Sequence, residues 1–551
     1  MVRAAIDLAS ETRFQNRPWD AGSKLPEGSH RTQDIFSKET TIDFLLKYQK
    51  KIKDLDFSAS LGGSKLENDY NIESLTSDGL TFPQVFNHNN AKYGVKAVKG
   101  IEKMEVNSFY YLLTAGYKNF LFLDASGRMD WTSTLASPQF PDKQTGFFYP
   151  AVNSSFILSE VVKLPEIFDF AKLRASYAEV GSGVQQPYKT EFYYSSPNPL
   201  IGGSLANPVS LSNPQIAPIR TRSVEVGTDI RMFKNRINLD VAVYNGLTFN
   251  QHLYRVVDAA SGALTRLTNI GKVRNSGVEV SLTTKPIVNK KGLNWTSAVT
   301  FSTNKNNIVE LADSTLVLQQ RSIGAAQIVA KVGGSLGDLY GIGYQRSPDG
   351  QVIYDPATGY ALLTSDVIYL GNTIPKGKAS WSNEFAYKGV RLSVLFDGQW
   401  GGVGHSQTNH KLSEQGKNQQ TVPGRYSGII GNGVVWDGGK YVPNTTIATN
   451  VDEYYRSHWG SNQGEGNTFS TDFIKFREAR LDFSLNKKLL KKLGIQKATF
   501  GVYGRNLFIW TPWPIFDPEF GTLDGSDIVK GFEIAQFPST RSYGANLVLG
   551  F

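Results

Sequence analysis

Two-residue alternation constrains this chain more than any other feature. From Thr221 to Ile230, Val224, Val226, Thr228 and Ile230 fall on one side and Ser223, Glu225, Gly227 and Asp229 on the other, the period of a strand with one apolar and one polar face. After Phe233-Lys234-Asn235-Arg236, the pattern resumes with Ile237, Leu239, Val241 and Val243 against Asn238, Asp240, Ala242 and Tyr244. Further along, Val278, Val280 and Leu282 oppose Gly277, Glu279 and Ser281, and Ala479, Leu481, Phe483 and Leu485 oppose Glu478, Arg480, Asp482 and Ser484. In a soluble sandwich the polar face meets bulk water, whereas in a barrel it meets a lumen. Periodicity alone does not separate the two.

Composition agrees with an all-β chain. Aromatic residues make up 12% and there are 53 glycines, while charged residues are only 19%, a mix suited to many strands joined by Gly-rich turns. No run of 18 apolar residues occurs, which excludes a helical membrane span but not a barrel, whose strands need only about ten residues each. A mean hydropathy of −0.28 is neutral on that question. Cysteine is absent, excluding disulfides and thiolate metal sites. The net charge of +9 is scattered over short runs such as Lys50-Lys51, so solvated rims are expected and no nucleic-acid partner.

The connections are unequal. Tight turns at Tyr117-Lys118-Asn119 and 233–236 alternate with long stretches, roughly 184–220, 303–370 and 401–470, the habit of bacterial barrels with short periplasmic turns and long extracellular loops. These three stretches are irregular in pattern and are expected to be ordered external loops, because aromatic residues continue through them. The only helical pattern is short, Lys487 to Leu493, and is expected as a turn-proximal segment following the strand of Ala479, Leu481, Phe483 and Leu485. At the chain's end Tyr543, Ala545, Leu547, Leu549 and Phe551 share an apolar face, the pattern of a closing barrel strand, read by the barrel-assembly machinery, that abolishes a sheet edge. These features favour a transmembrane antiparallel β-barrel in the lipid bilayer of a bacterial outer membrane.

Several blocks, in order, carry a resemblance: FLFLDASGRMDWTSTL (120–135), GFFYPAVNSSFILSE (146–160), LRASYAEVG (173–181), NIGKVRNSGVEVSL (269–282), GNTIPKGKASWSNEFAYKGVRLSVLFDG (371–398), FIKFREARLDFSLNKKLLKKLGIQKATFGVYGRNLFIWT (473–511) and PSTRSYGANLVLGF (538–551). Together they resemble the SusC/RagA-type TonB-dependent transporters of Bacteroidota. The resemblance implies a barrel of about 22 strands around an N-terminal plug, importing oligosaccharides or peptides with a SusD-like surface lipoprotein and energised by TonB. The blocks begin within the barrel portion. Residues 1–551 are therefore expected to be the C-terminal part of such a barrel, with about 14 to 16 strands at roughly ten residues each. Met1–Asp7 lacks the basic and apolar regions of an export signal, so plug, signal peptide and TonB contact are expected on a preceding portion.

Chemistry of other kinds is not expected. The six histidines (30, 88, 252, 405, 410 and 458) form no HExxH motif, no nucleotide-binding or nucleophile-elbow signature occurs, and no catalytic residue or resident metal is assigned. Asp349, Gly350 and Asp355 resemble a loop for structural Ca²⁺ but lack EF-hand spacing. Loop aromatics Trp400, Tyr426, Trp436, Tyr454, Tyr455 and Trp459 are the candidate ligand-binding residues, because ring faces stack on sugars and pack on peptide side chains. Belt or loop-core roles are open to each of them. Two other readings of the whole stay open: a non-energised pore, adhesion or assembly scaffold, and a secreted all-β sugar-binding protein.

Overall fold

A computed structural model describes the chain except residues 21, 23–24, 143–144, 195–204, 270, 312–314, 322–325, 487–489, 491–493 and 521–529. One sheet of 16 strands dominates, and each strand's neighbours in the sheet are its neighbours along the chain. The strands are β1 (Val2–Arg17), β2 (Ser29–Ile52), β3 (Leu55–Asp78), β4 (Lys96–Tyr117), β5 (Leu121–Thr132), β6 (Gly146–Ile157), β7 (Phe168–Ser182) and β8 (Ile219–Met232). They continue with β9 (Ile237–Phe249), β10 (Lys272–Ile287), β11 (Asn294–Glu310), β12 (Gly377–Tyr387), β13 (Val390–Trp400), β14 (Phe473–Ser484), β15 (Lys497–Trp510) and β16 (Ser542–Gly550). The strand number falls within the expected range. Contacts cluster into two compact units: Met1–Phe156 with Ala175–Val224 and Thr248–Ile270, and Ile157–Arg174 with Glu225–Leu247 and Gly271–Phe551.

Local chemistry accounts for the tight turns. Lys118 and Asn119 take φ of 47° and 62°, and Phe233, Lys234 and Asn235 take 57°, 59° and 59°, the left-handed region that lets a short connection follow the right-handed strand twist. Asp169 reinforces the second turn by accepting from Asn235 N–H at 2.9 Å. Both turns stand where the alternation breaks.

In the second unit the alternation carries straight across the sheet. Val299 lies opposite Trp381, Trp381 opposite Phe396, Phe396 opposite Phe476, and Phe476 opposite Phe508. A second row runs Val390, Phe483, Phe500 and Leu547. Rings in the first row sit 6.0, 4.7 and 6.4 Å apart. This apolar face is the exposed one, with Trp381 47%, Phe508 56% and Leu547 61% exposed. A soluble sandwich buries its apolar face and wets its polar one, and here the arrangement is reversed. Each such side chain left in water would forgo about 2 kcal/mol, and so extensive a patch marks contact with lipid or a partner. Tyr543, Leu547 and Leu549 lie on this face of β16, which pairs with β15, and Phe551 follows the strand, 81% exposed.

Three expectations are corrected. The stretch 303–370 is not irregular: β11 runs to Glu310, and Thr315–Arg321, Ala326–Lys331, Asp338–Tyr344 and Leu363–Asn372 form a four-stranded sheet. Ile328 and Leu339 are fully buried there with Phe532, so a few apolar residues suffice to order it. The stretch 401–470 holds two helices, α1 (Gln407–Glu414) and α2 (Val451–Trp459). Ser406 and Asn450 cap them by accepting from Asn409 and Glu453 N–H, which satisfies donors a short helix otherwise leaves bare. Helix is thus found where none was expected, while Lys487–Leu493 lies outside the described residues apart from Leu490. Finally, Trp400 is no loop residue: it ends β13 and lies over Gly377 and against Phe301, 5.8 Å between rings.

Candidate functional site

The polar face of the sheet carries charged side chains in hydrogen-bonded groups. In the first unit Glu179 of β7, its side chain 6% exposed, accepts from Arg220 at 2.5 Å and Arg222 at 2.9 Å; both arginines are on β8 and by period share the side of Val224 and Val226, so this group lies on the other face. In the second unit Arg174 donates to both oxygens of Asp240, at 2.6 and 2.8 Å, and lies 3.7 Å from Glu225. Glu478 accepts from Arg505 at 2.8 Å, and Arg480 bonds Asp482 at 2.9 Å and Asn546 at 3.1 Å. These groups pair charge with charge, which holds the side chains in place.

The largest group sits where β13 and β15 end and β14 begins. Arg477 is the extra residue of a bulge in β14, since Leu395 and Phe396 pair with Glu478 and Phe476. Its guanidinium grips Asp397 at 2.8 and 2.5 Å and Glu519 at 2.8 Å. Beside it the Lys475 ammonium, 4% exposed, donates to both oxygens of Asp517 at 2.7 and 2.8 Å and also to Glu519. Burial pushes the Asp517 carboxyl up, but Lys475 and the Glu519 N–H hold it below the usual carboxylate range. A loop is thereby latched to a strand end.

Above the strands of this unit, a layer of loops has its own core. Tyr354, Tyr454 and Tyr455 are buried and Trp459 packs against them. Tyr354 Oη lies 3.0 Å from His458 Nε2, Tyr344 Oη donates to His458 O at 3.0 Å, and Tyr455 Oη donates to Pro423 O at 2.7 Å. Glu533, buried, accepts from Ser406 Oγ, Thr408 N and Thr408 Oγ1 at 2.8, 3.1 and 2.5 Å. Burial lowers His410 and His458 and pushes His405 down to about 4, and it raises Tyr344, Tyr354 and Tyr454. All are held neutral at physiological pH.

The six candidate aromatics therefore divide. Tyr454 and Tyr455 are 7% and 6% exposed and offer no ring face to a ligand, because the short helix α2 turns them inward. Trp459 stacks on Tyr455 at 5.7 Å, and Trp400 belongs to the apolar face. Trp436 and Tyr426 remain, 53% and 105% exposed. Trp436 stands on the hairpin of Val434–Asp437 and Lys440–Pro443 in T-shaped contact with Tyr441, 4.7 Å between rings. Near α1 and α2 a cavity of 480 Å³ is lined by Asp355, Tyr360, Glu414, Glu453, Arg456 and Asn462, a size suited to a small polar ligand. Sequence reading missed it, because its walls come from three distant stretches. A 590 Å³ cavity between Trp381, Phe396, Trp400 and Trp510 lies on the apolar face and suits an acyl chain. Asp355 binds the Ala357 N–H and Thr358 hydroxyl of its own turn at 2.8 and 2.9 Å, and among the described residues no His, Asp and Glu group assembles to hold a metal.

Comparison with known proteins completes the picture. A family model described as TonB dependent receptor-like, beta-barrel, matches residues 7–367, well over half of the chain. The chain belongs to this family. Its fold is accordingly an all-β barrel of the outer-membrane kind. The TonB-dependent receptor P26 of Formosa agariphila is 23% identical over 99% of this chain and 57% of its own length. P39 of the same organism is 25% identical over 89% of the chain and 51% of its own length. This TonB-receptor-family chain thus spans about half the length of the curated relatives it matches. Solved structures of the RagAB peptide transporter and of the RagAB importer in its open-open state superpose with TM-scores of 0.77, at 17% and 18% identity. Each covers all of this chain, which in turn covers 60% and 59% of theirs. No described helix is long and apolar enough to cross a membrane.

Proposed function

We propose that this chain forms the barrel of a TonB-dependent importer of the SusC/RagA type in a bacterial outer membrane, taking up oligopeptides or oligosaccharides with a SusD-like surface lipoprotein. The observation that carries the reading is the pairing of a charged lumenal face with an ordered loop layer, in a fold that superposes on RagAB. A lumen whose charges are mutually paired lets a polar solute pass without trapping it, since binding must be weak enough for release. The cavity beside Glu414, Glu453 and Arg456 and the exposed Trp436 are the proposed ligand contacts. TonB is proposed to act through a portion outside residues 1–551, and no catalytic step, metal or cofactor is assigned.

Uptake of a fluorescein-labelled oligopeptide mixture by cells producing the full-length protein tests this reading. Accumulation that a protonophore abolishes supports energised import. Accumulation unaffected by the protonophore points instead to a passive pore, and none for peptide or labelled oligosaccharide to a scaffold.

A further inference from the structure

Strand β4 is longer than its neighbour. It pairs with β3 from Lys96 to Tyr117, but β5 joins it only from Val106 onward. Residues 96–105 thus present one side without a strand. Two of the N–H groups there are taken by side chains: Lys103 N donates to Tyr188 Oη at 3.2 Å and Glu105 N to Ser133 Oγ at 2.9 Å. By alternation, the N–H groups of Lys99 and Ile101 point the same way. Val98 and Ile101 are 51% and 49% exposed. The unpaired edge N-terminal to Lys103 is a template for another strand, and proteins ordinarily blunt such edges.

Beside this edge lies a cavity of 720 Å³, lined by Glu67, Asp69, Glu105 and Glu191 among others, with Lys103. Glu67 stands directly opposite Glu105 across β3 and β4, a like-charge pairing that costs stability. Lys65 lies 2.7 and 3.6 Å from the two, and Lys103 lies 3.5 Å from Asp69. Four carboxylates against two ammonium groups leave the cleft negative. Ser137 also lines it, and its Oγ is buried and has no hydrogen-bond partner among the described residues, an acceptor and donor left for a ligand. Glu67, Asp69, Lys103 and Glu105 share the sheet face of Leu61, Phe109 and Tyr111 by period and register. That is the exposed apolar face, so an occupant of the cleft stands outside the lumen and is not cargo in transit.

We propose that the free edge of β4 and this acidic cleft form a docking site for an extended, basic segment of a partner polypeptide, which adds as a strand beside β4 and places an Arg or Lys among Glu105, Glu67 and Glu191. Backbone pairing supplies affinity, and the carboxylates select the charge.

The test uses the full-length protein in detergent and a fluorescein-labelled peptide of about ten alternating Thr and Val residues, carrying two central Arg, with a matching peptide carrying two Glu. Fluorescence anisotropy is expected to show binding of the Arg peptide only. Ile101→Pro, which removes a free-side N–H at a position where an edge strand tolerates proline, is expected to weaken it about tenfold or more. Glu105→Gln with Glu191→Gln is expected to do the same while leaving heat-modifiable mobility on gels unchanged, and it serves alone if the proline variant does not fold. Equal binding of the two peptides overturns the proposal. So does loss of binding in the Gln variant with none in a folded Ile101→Pro variant, which would make the cleft a charged surface without strand addition.

Discussion

Replacing Lys475 with Met removes the buried ammonium that latches the 511–520 segment to β14. The side chain is 4% exposed and faces the Asp517 carboxylate, 13% exposed, at 2.7 and 2.8 Å. Breaking a buried pair by deleting one partner costs roughly 3–5 kcal/mol, because the other charge stays desolvated. Here the lower end applies, since Arg477 still faces Glu519 at 2.8 Å. About 3 kcal/mol corresponds to a roughly 150-fold rise in the fraction of time the segment is open. Hydrogen exchange of residues 511–520, compared with the β14–β15 pairing, measures it. The segment should exchange faster in Lys475→Met and near normally in Lys475→Arg, with the strands unchanged. Because Asp517 is depressed in the fold, its contribution is complete above the ordinary Asp pKa of about 3.9 and is lost as pH falls through the depressed value. Wild-type exchange in this segment should therefore accelerate only in strong acid. Unchanged exchange in Lys475→Met would refute the latch.

His405 is buried and its pKa is pushed down to about 4, so the unfolded state takes up its proton first as pH falls. Loop-layer stability should be full above about pH 6.5 and fall by up to about 3 kcal/mol toward pH 4, a slope that His405→Gln should flatten in proteolysis of 401–470. On β15, Val502→Arg places a charge toward lipid and should cost about 2–4 kcal/mol in urea unfolding from bilayers if it lies near the midplane, whereas neighbouring Tyr503→Arg on the lumenal face should be tolerated. Tyr455→Phe loses the 2.7 Å bond to Pro423 O and should cost about 1 kcal/mol. Tyr426→Ala, fully exposed, should stay within about 0.5 kcal/mol, and thermal melts of the loop layer compare the two.

The strands were legible because each carries its own two-residue pattern: Val224 and Val226, or Leu481 and Phe483, declare a face without reference to anything distant. The same is true of the turns at 117–119 and 233–236. What escaped was everything fixed by contacts between remote stretches. Tyr454 and Tyr455 look like surface aromatics until α2 turns them onto Tyr354, about a hundred residues earlier. Trp400 was expected in a loop, yet its register opposite Gly377 makes it a strand residue. Nothing in the neighbourhood of Arg477 marks a bulge; only the paired registers of β13 and β14 turn its guanidinium toward Asp397. The expected ligand face thus reduced to Trp436 and Tyr426, and the cavity beside Glu414 came from the fold alone.

The most direct test exploits the absence of cysteine. Single cysteines placed in turn at Thr499, Phe500, Gly501, Val502 and Tyr503 of β15, in protein reconstituted into liposomes, report which face meets lipid. A bimane label at 500 and 502 should be quenched by brominated lipid, while a water-soluble maleimide should react at 499, 501 and 503. Equal aqueous labelling at all five positions, with no quenching, would contradict a membrane barrel.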